Sequence, residues 1–174
     1  VARGQEQSAP DAVLTRIGQV VMLHHAGDRE EARDRLLGLW AEVGEHGDPL
    51  YRCTLAHYLA DTQDDPGDEL AWNLRALAAA EELAEDRCGG PRPGASAARA
   101  LYPSLHLDLA ADYLRLGRHG AARGHLGQAR RTAAALPADR YGDRVRAAID
   151  RLEARLDDED PTPDGPWRAP RQRP

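Results

Sequence analysis

Three residues have types and spacing that could do chemistry. Cys53, His57 and Asp61 recur at i, i+4 and i+8, which places them along one face of a helix. A thiolate, an imidazole and a carboxylate are all zinc ligands. Asp108 and Asp112 form a second i, i+4 pair, and either could add an oxygen from a facing helix. As a metal signature the set is thin, because the chain has no CxxC and no HExxH. A nucleophilic role for Cys53 is weaker still, since successive residues on one straight helix rarely give the geometry of nucleophile, base and orienting group. The plain alternative makes Cys53 a small buried hydrophobe, with His57 and Asp61 paired to each other or to arginines.

Other chemistry-bearing patterns have bland explanations. Asp64, Asp65, Asp68 and Glu69 lack the EF-hand order and read as helix-capping carboxylates. His24 and His25 fall near a helix end, where imidazole suits the helix dipole. There is no phosphate-binding loop, no dinucleotide glycine fingerprint and no G-x-S-x-G elbow, so no cofactor is expected.

The elements that must position these residues are helical throughout. The 174 residues suit one domain of ordinary size. Apolar residues at i, i+3, i+4 and i+7 mark seven helices. Val13, Ile17, Val20 and Val21 stripe the first, and Ala32, Leu36, Leu39, Trp40 and Val43 the second. The third runs from about Pro49 to Gln63, and the fourth carries Leu70, Leu74 and Leu77. Glycines and prolines in residues 88–96 set a long break. Beyond it, Leu101, Leu105, Leu109 and Tyr113 mark the fifth helix, Ala122, Leu126 and Ala129 the sixth, and Val145, Ile149, Leu152 and Leu156 the seventh. Residues 1–9 and the Pro-rich residues 157–174 have too little to bury and are expected to be disordered. Trp167-Arg168 in the latter could dock as a short peptide on a neighbouring groove. The ordered domain is thus expected over 10–156.

Charge and composition narrow the partners. A net charge of -6 and a pI of about 5.6 argue against a general nucleic-acid binder. No apolar run is long enough for a membrane span. Two cysteines without a recognisable secretory signal point to a cytoplasmic location. All 23 basic residues are Arg, which reads as the codon usage of a high-GC bacterium.

One further pattern organises the helices. The positions Val20, Leu23, Gly27, Ala32, Leu36 and Leu39 have the same intervals as Ala110, Tyr113, Gly117, Ala122, Leu126 and Ala129. A slim residue allows close approach, a glycine supplies the turn, and a small residue marks the contact of the returning helix. These offsets resemble the tetratricopeptide repeat (TPR), a helix–turn–helix unit of 34 residues. The middle unit fits less well. Leu55, Ala56 and Leu59 match, Ala71 stands as the returning contact, and the turn is longer and lacks its glycine. His106 and Arg16 occupy the usual Trp position.

The resemblance implies an all-α, right-handed solenoid of about three TPR-like units with residues 138–156 as a capping helix. It also implies a concave groove that binds a protein or peptide partner, or a second copy of the chain, in the manner of a scaffold rather than an enzyme. On that map Cys53, His57, Asp61, Asp108, Asp112 and Arg16 face the groove, with Tyr58 among the aromatic anchors. The alternatives are an accessory enzyme or metal-binding protein using Cys53, His57 and Asp61, and a small-ligand sensor piece of a regulatory system.

Overall fold

The computed structural model describes residues 8–84 and 95–159. Among the described residues seven helices follow one another: α1 (Ser8–His25), α2 (Arg29–Val43), α3 (Pro49–Asp61), α4 (Pro66–Ala84), α5 (Ala95–Arg115), α6 (His119–Ala133) and α7 (Arg140–Glu159). No strand occurs among the described residues, so the chain is all-α there. None of these helices is long and apolar enough to cross a membrane.

Their starts and stops follow from local chemistry. Asp48 accepts a hydrogen bond from the Leu50 amide at 2.8 Å, with Pro49 at the first helical position of α3. Asp65 does the same for α4, accepting from the amides of Gly67 and Asp68. Asp139 accepts from the Gly142 amide at 2.8 Å as α7 begins. Three boundaries differ from the sequence reading. Ser8 and Ala9 already belong to α1, Ala95 and Ser96 to α5, and α7 continues through Asp157 to Glu159. That last extension has a visible cause: Leu156 is buried, and the next residue, Asp157, pairs with Arg123 of α6 at 2.8 Å. The rest of the expected break at 88–96, and the Trp167-Arg168 segment, lie outside the described residues.

The α1–α2 and α5–α6 turns are built alike. In the first, the amide of Gly27 bonds the carbonyl of His24 and that of Asp28 bonds Leu23; in the second, Gly117 bonds Leu114 and Arg118 bonds Tyr113. Each is a Schellman motif whose glycine takes positive φ, +102° at Gly27 and +69° at Gly117. Five residues on, Ala32 and Ala122 are fully buried where the returning helix closes.

The α3–α4 turn is made differently. It has no glycine, and its carbonyls are held by side chains of α2. Arg33 donates to the Thr62 carbonyl through Nε at 3.0 Å and Nη2 at 2.5 Å, Arg29 donates to the Gln63 carbonyl, and both arginines pair with Asp64.

Packing proceeds from neighbour to neighbour. Each helix lies on the next, and α1 also meets α3 while α5 meets α7. The core accordingly divides into three clusters in chain order. One joins α1 to α3 through Ile17, Leu36, Leu55 and Leu59, a second joins α3 to α5 through Cys53, Ala76, Leu105 and Leu109, and a third joins α5 to α7 through Leu114, Leu126, Ile149 and Leu156. Trp40 and Trp72 link the first two edge-to-face, their centroids 5.1 Å apart.

Candidate functional site

The residues singled out on α3 do not share one environment. Successive i, i+4 steps on an α-helix turn about 40° each, so over two steps the line drifts by about 80°. Cys53 therefore lies in the core, His57 is half-buried and Asp61 is exposed. Burial pushes the Cys53 thiol up to about 11, which leaves it a buried apolar group rather than a thiolate. It does not line a groove as the resemblance suggests, nor does it join His57 and Asp61 in a ligand set. No group of three His, Cys, Asp or Glu side chains suited to a metal occurs among the described residues.

What the fold assembles instead is an acidic junction of three helices. From α3 come His57 and Asp61, from α4 Glu69 and Asn73, and from α5 Asp108, Asp112 and Arg115. The same 40° drift separates the two α5 carboxylates. Asp112 is 1% exposed, and its charge is met by the Asn73 amide at 2.7 Å and Arg115 Nη2 at 2.6 Å. Arg115 also pairs with Glu69 at 2.5 Å, so one guanidinium serves two carboxylates. Asp112 is thus an internal strut and not the groove-facing group expected of it.

Asp108 is placed otherwise. Its side chain is 36% exposed, and its one ion-pairing neighbour among the described residues is His57 Nδ1, 3.6 Å away and beyond hydrogen-bonding reach. Partial burial, with the carboxylates of Asp61, Asp112 and Glu69 around it, raises its pKa to about 8. Burial also raises that of Glu69, against the pull of Arg115. Among the described residues, four buried side-chain atoms lack a hydrogen-bonding partner, all in this region or at its edge: His57 Nδ1, Asn73 Oδ1, Arg29 Nε and His24 Nδ1. The junction opens on a broad depression of about 620 Å³ lined by His24, Arg29, Asp61, Gln63, Asp64, Glu69 and Arg115.

Arg16 and Tyr58 stand apart from this junction. Arg16 pairs bidentately with Glu42 of α2, at 2.6 and 2.8 Å, beside a separate depression between α1 and α2. Tyr58 packs half-buried on the first core cluster, its ring 5.3 Å from that of His57.

Two features escaped the sequence reading. Glu69 and Asn73 stand four and eight residues after the N-cap Asp65, as Ala32 and Leu36 follow Asp28 and Ala122 and Leu126 follow Arg118. Counting from the cap rather than from the missing glycine reveals two polar residues at inner-stripe positions; Ala71, taken as the contact, is only half-buried. The second is a histidine pair. His106 Nδ1 and His125 Nδ1 lie 3.0 Å apart, with Tyr102 stacked on His106 and Tyr113 on His125. Burial lowers the pKa of both, that of His106 to about 4.

In comparisons with known proteins, no family model, no curated protein and no solved structure matches the chain.

Proposed function

We propose that the protein is a binding module: a TPR-like stack of three helical hairpins capped by α7, whose inner face is made by α1, α3, α5 and α7 and holds a basic segment of a protein partner. Three features support the stack: the two matching Schellman turns, packing that passes from helix to neighbouring helix, and a core divided in chain order. The partner's chemistry follows from one observation. Asp108 keeps a partly exposed carboxyl among three others, without a cation in bonding reach among the described residues.

Such an arrangement costs stability, and residues that break local consistency in this way concentrate at working surfaces. An arginine or lysine side chain laid between Asp61 and Asp108 would offset the surrounding carboxylates and let Asp108 ionise as it binds. It would also leave Arg115 to Glu69 and Asp112. Binding of this kind gives selectivity and a fast, salt-dependent encounter more than raw affinity.

The test is affinity capture from the source lysate on the full chain, run beside the D61N/D108N double variant. Proteins retained by the first and lost by the second support the reading, and their elution at moderate salt would show its electrostatic origin. The same proteins retained by both would refute it. Loss of fold does not confuse the outcome, because removing these charges is expected to stabilise the chain.

A further inference from the structure

Between α5 and α7 lies a depression of about 380 Å³, lined by Ser104 and Leu107 on one side and by Tyr141, Arg144, Ala148 and Arg151 on the other. Its floor is apolar, with Val145 buried and Leu107 half-buried against the third core cluster. At one end the Tyr141 hydroxyl sits 2.8 Å from Ser104 Oγ. Two cations bracket the floor. Arg144 and Arg151 are exposed and seven residues apart, about 10 Å along one face of α7. Arg146 and Arg155 of the same helix have carboxylate partners; Arg144 and Arg151 have none among the described residues.

We propose that this depression seats the chain's own segment 160–168, with Trp167 on the apolar floor and Asp160 and Asp164 against Arg151 and Arg144. These residues lie beyond the described structure and enter by their sequence alone, DPTPDGPWR. That sequence supplies what the depression lacks: two carboxylates, and one large apolar side chain that carries a polar handle. Pro161, Pro163 and Pro166 restrict the chain and so reduce the entropy lost on docking.

The reach is sufficient. Ala148 lies eleven residues before the end of α7, about 17 Å back along the helix. The eight residues from Glu159 to Trp167 can span up to about 27 Å. Tethering also keeps the local concentration of the segment on the order of millimolar, so weak contacts are enough to hold it. The segment then covers one end of the inner face and would compete with any partner that extends from α5 toward α7.

The full chain labelled with 5-fluorotryptophan tests this by fluorine NMR. W167F identifies the Trp167 resonance, and the resonances of Trp40 and Trp72, half-buried against the core, report in each variant whether the core is intact. The expected Trp167 shift differs from that of a synthetic peptide of residues 160–171 and does not change on dilution. R144E/R151E should move it onto the peptide value, and so should A148R, which fills the depression and leaves both arginines in place. A wild-type resonance coincident with the free peptide overturns the proposal, as does a shift that survives both variants. A shift that fades on dilution assigns the depression to a second copy and overturns it equally. None of these variants touches Asp61 or Asp108, so failure here leaves the proposed function standing.

Discussion

Replacing Asp108 by asparagine should make the protein more stable, and by an amount that depends on pH. The folded chain raises the pKa of this carboxyl from 3.8 to about 8. Below 3.8 the group is protonated in both folded and unfolded states and costs nothing. Between 3.8 and about 8 the unfolded chain ionises freely while the folded chain does not, so the penalty grows with pH and then levels off. At pH 7, taken without screening, it would be about 4 kcal/mol. Water reaches a side chain 36% exposed and screens much of that, leaving about 1–2 kcal/mol. For a chain of this length the gain corresponds to a rise of about 3–6 °C in melting temperature. Thermal melts of wild type and D108N at several pH values between 4 and 8.5 measure it. The two curves should nearly coincide at the acid end and separate toward pH 8. A melting temperature lowered at pH 8, or a gain independent of pH, would refute the account of Asp108 as a carboxyl whose ionisation the fold opposes.

Three further outcomes follow from the same geometry. Asp112→Ala should cost about 3–5 kcal/mol in urea denaturation, because it strands the buried Asn73 amide and removes one of Arg115's two carboxylates; a loss under 1 kcal/mol would mean the strut is idle. Gly117→Ala should cost about 1 kcal/mol through its backbone alone, since φ is +69° and a Cβ there meets nothing within 4 Å. The same change at Gly120, inside α6 with equal space, should be neutral or stabilising. The histidine pair is held neutral, so its contribution is present above pH 6.5 and is lost as pH falls toward about 4. Neutral His106 and His125 share one proton between their Nδ1 atoms, whereas charged ones repel each other and, at His106, also face Arg131. His106→Phe should therefore flatten the acid limb of a melting-temperature profile, and an unchanged limb would assign acid sensitivity elsewhere.

The first and third hairpins were legible because their constraints are local. A glycine at the turn and an alanine five residues later leave a mark that interval counting detects, and Gly27 and Gly117 adopt the backbone that this mark anticipates. The helices themselves were legible from the period of their apolar stripes, including the seventh. The candidate site was legible in part. Sequence spacing brought His57, Asp61 and Asp108 into view, and the fold places His57 against Asp108. It misjudged depth, because residues four apart are near one another along a helix without being equally buried. Cys53 and Asp112 each lie inward of the line on which spacing put them. Glu69, Asn73 and Arg115 were missed because their roles depend on contacts between α4 and α5, across about 40 residues of chain.

The departures of the middle hairpin belong together. A turn lacking glycine cannot form the Schellman closure of its neighbours, so its carbonyls need donors from elsewhere, and Arg29 and Arg33 supply them from α2. The α3–α4 pair also lacks the small residue that Ala32 and Ala122 supply to the other two pairs where the second helix returns. Glu69 occupies that place and Asn73 the leucine place one turn later. Two polar side chains on an inner stripe require partners across the interface, and α5 meets them with Asp112 and Arg115. Asp112 is buried in that contact, and it adds to the raised pKa of Asp108 one turn away. The raised pKa of Asp108 is therefore the outer end of a series of contacts that begins at the α3–α4 turn.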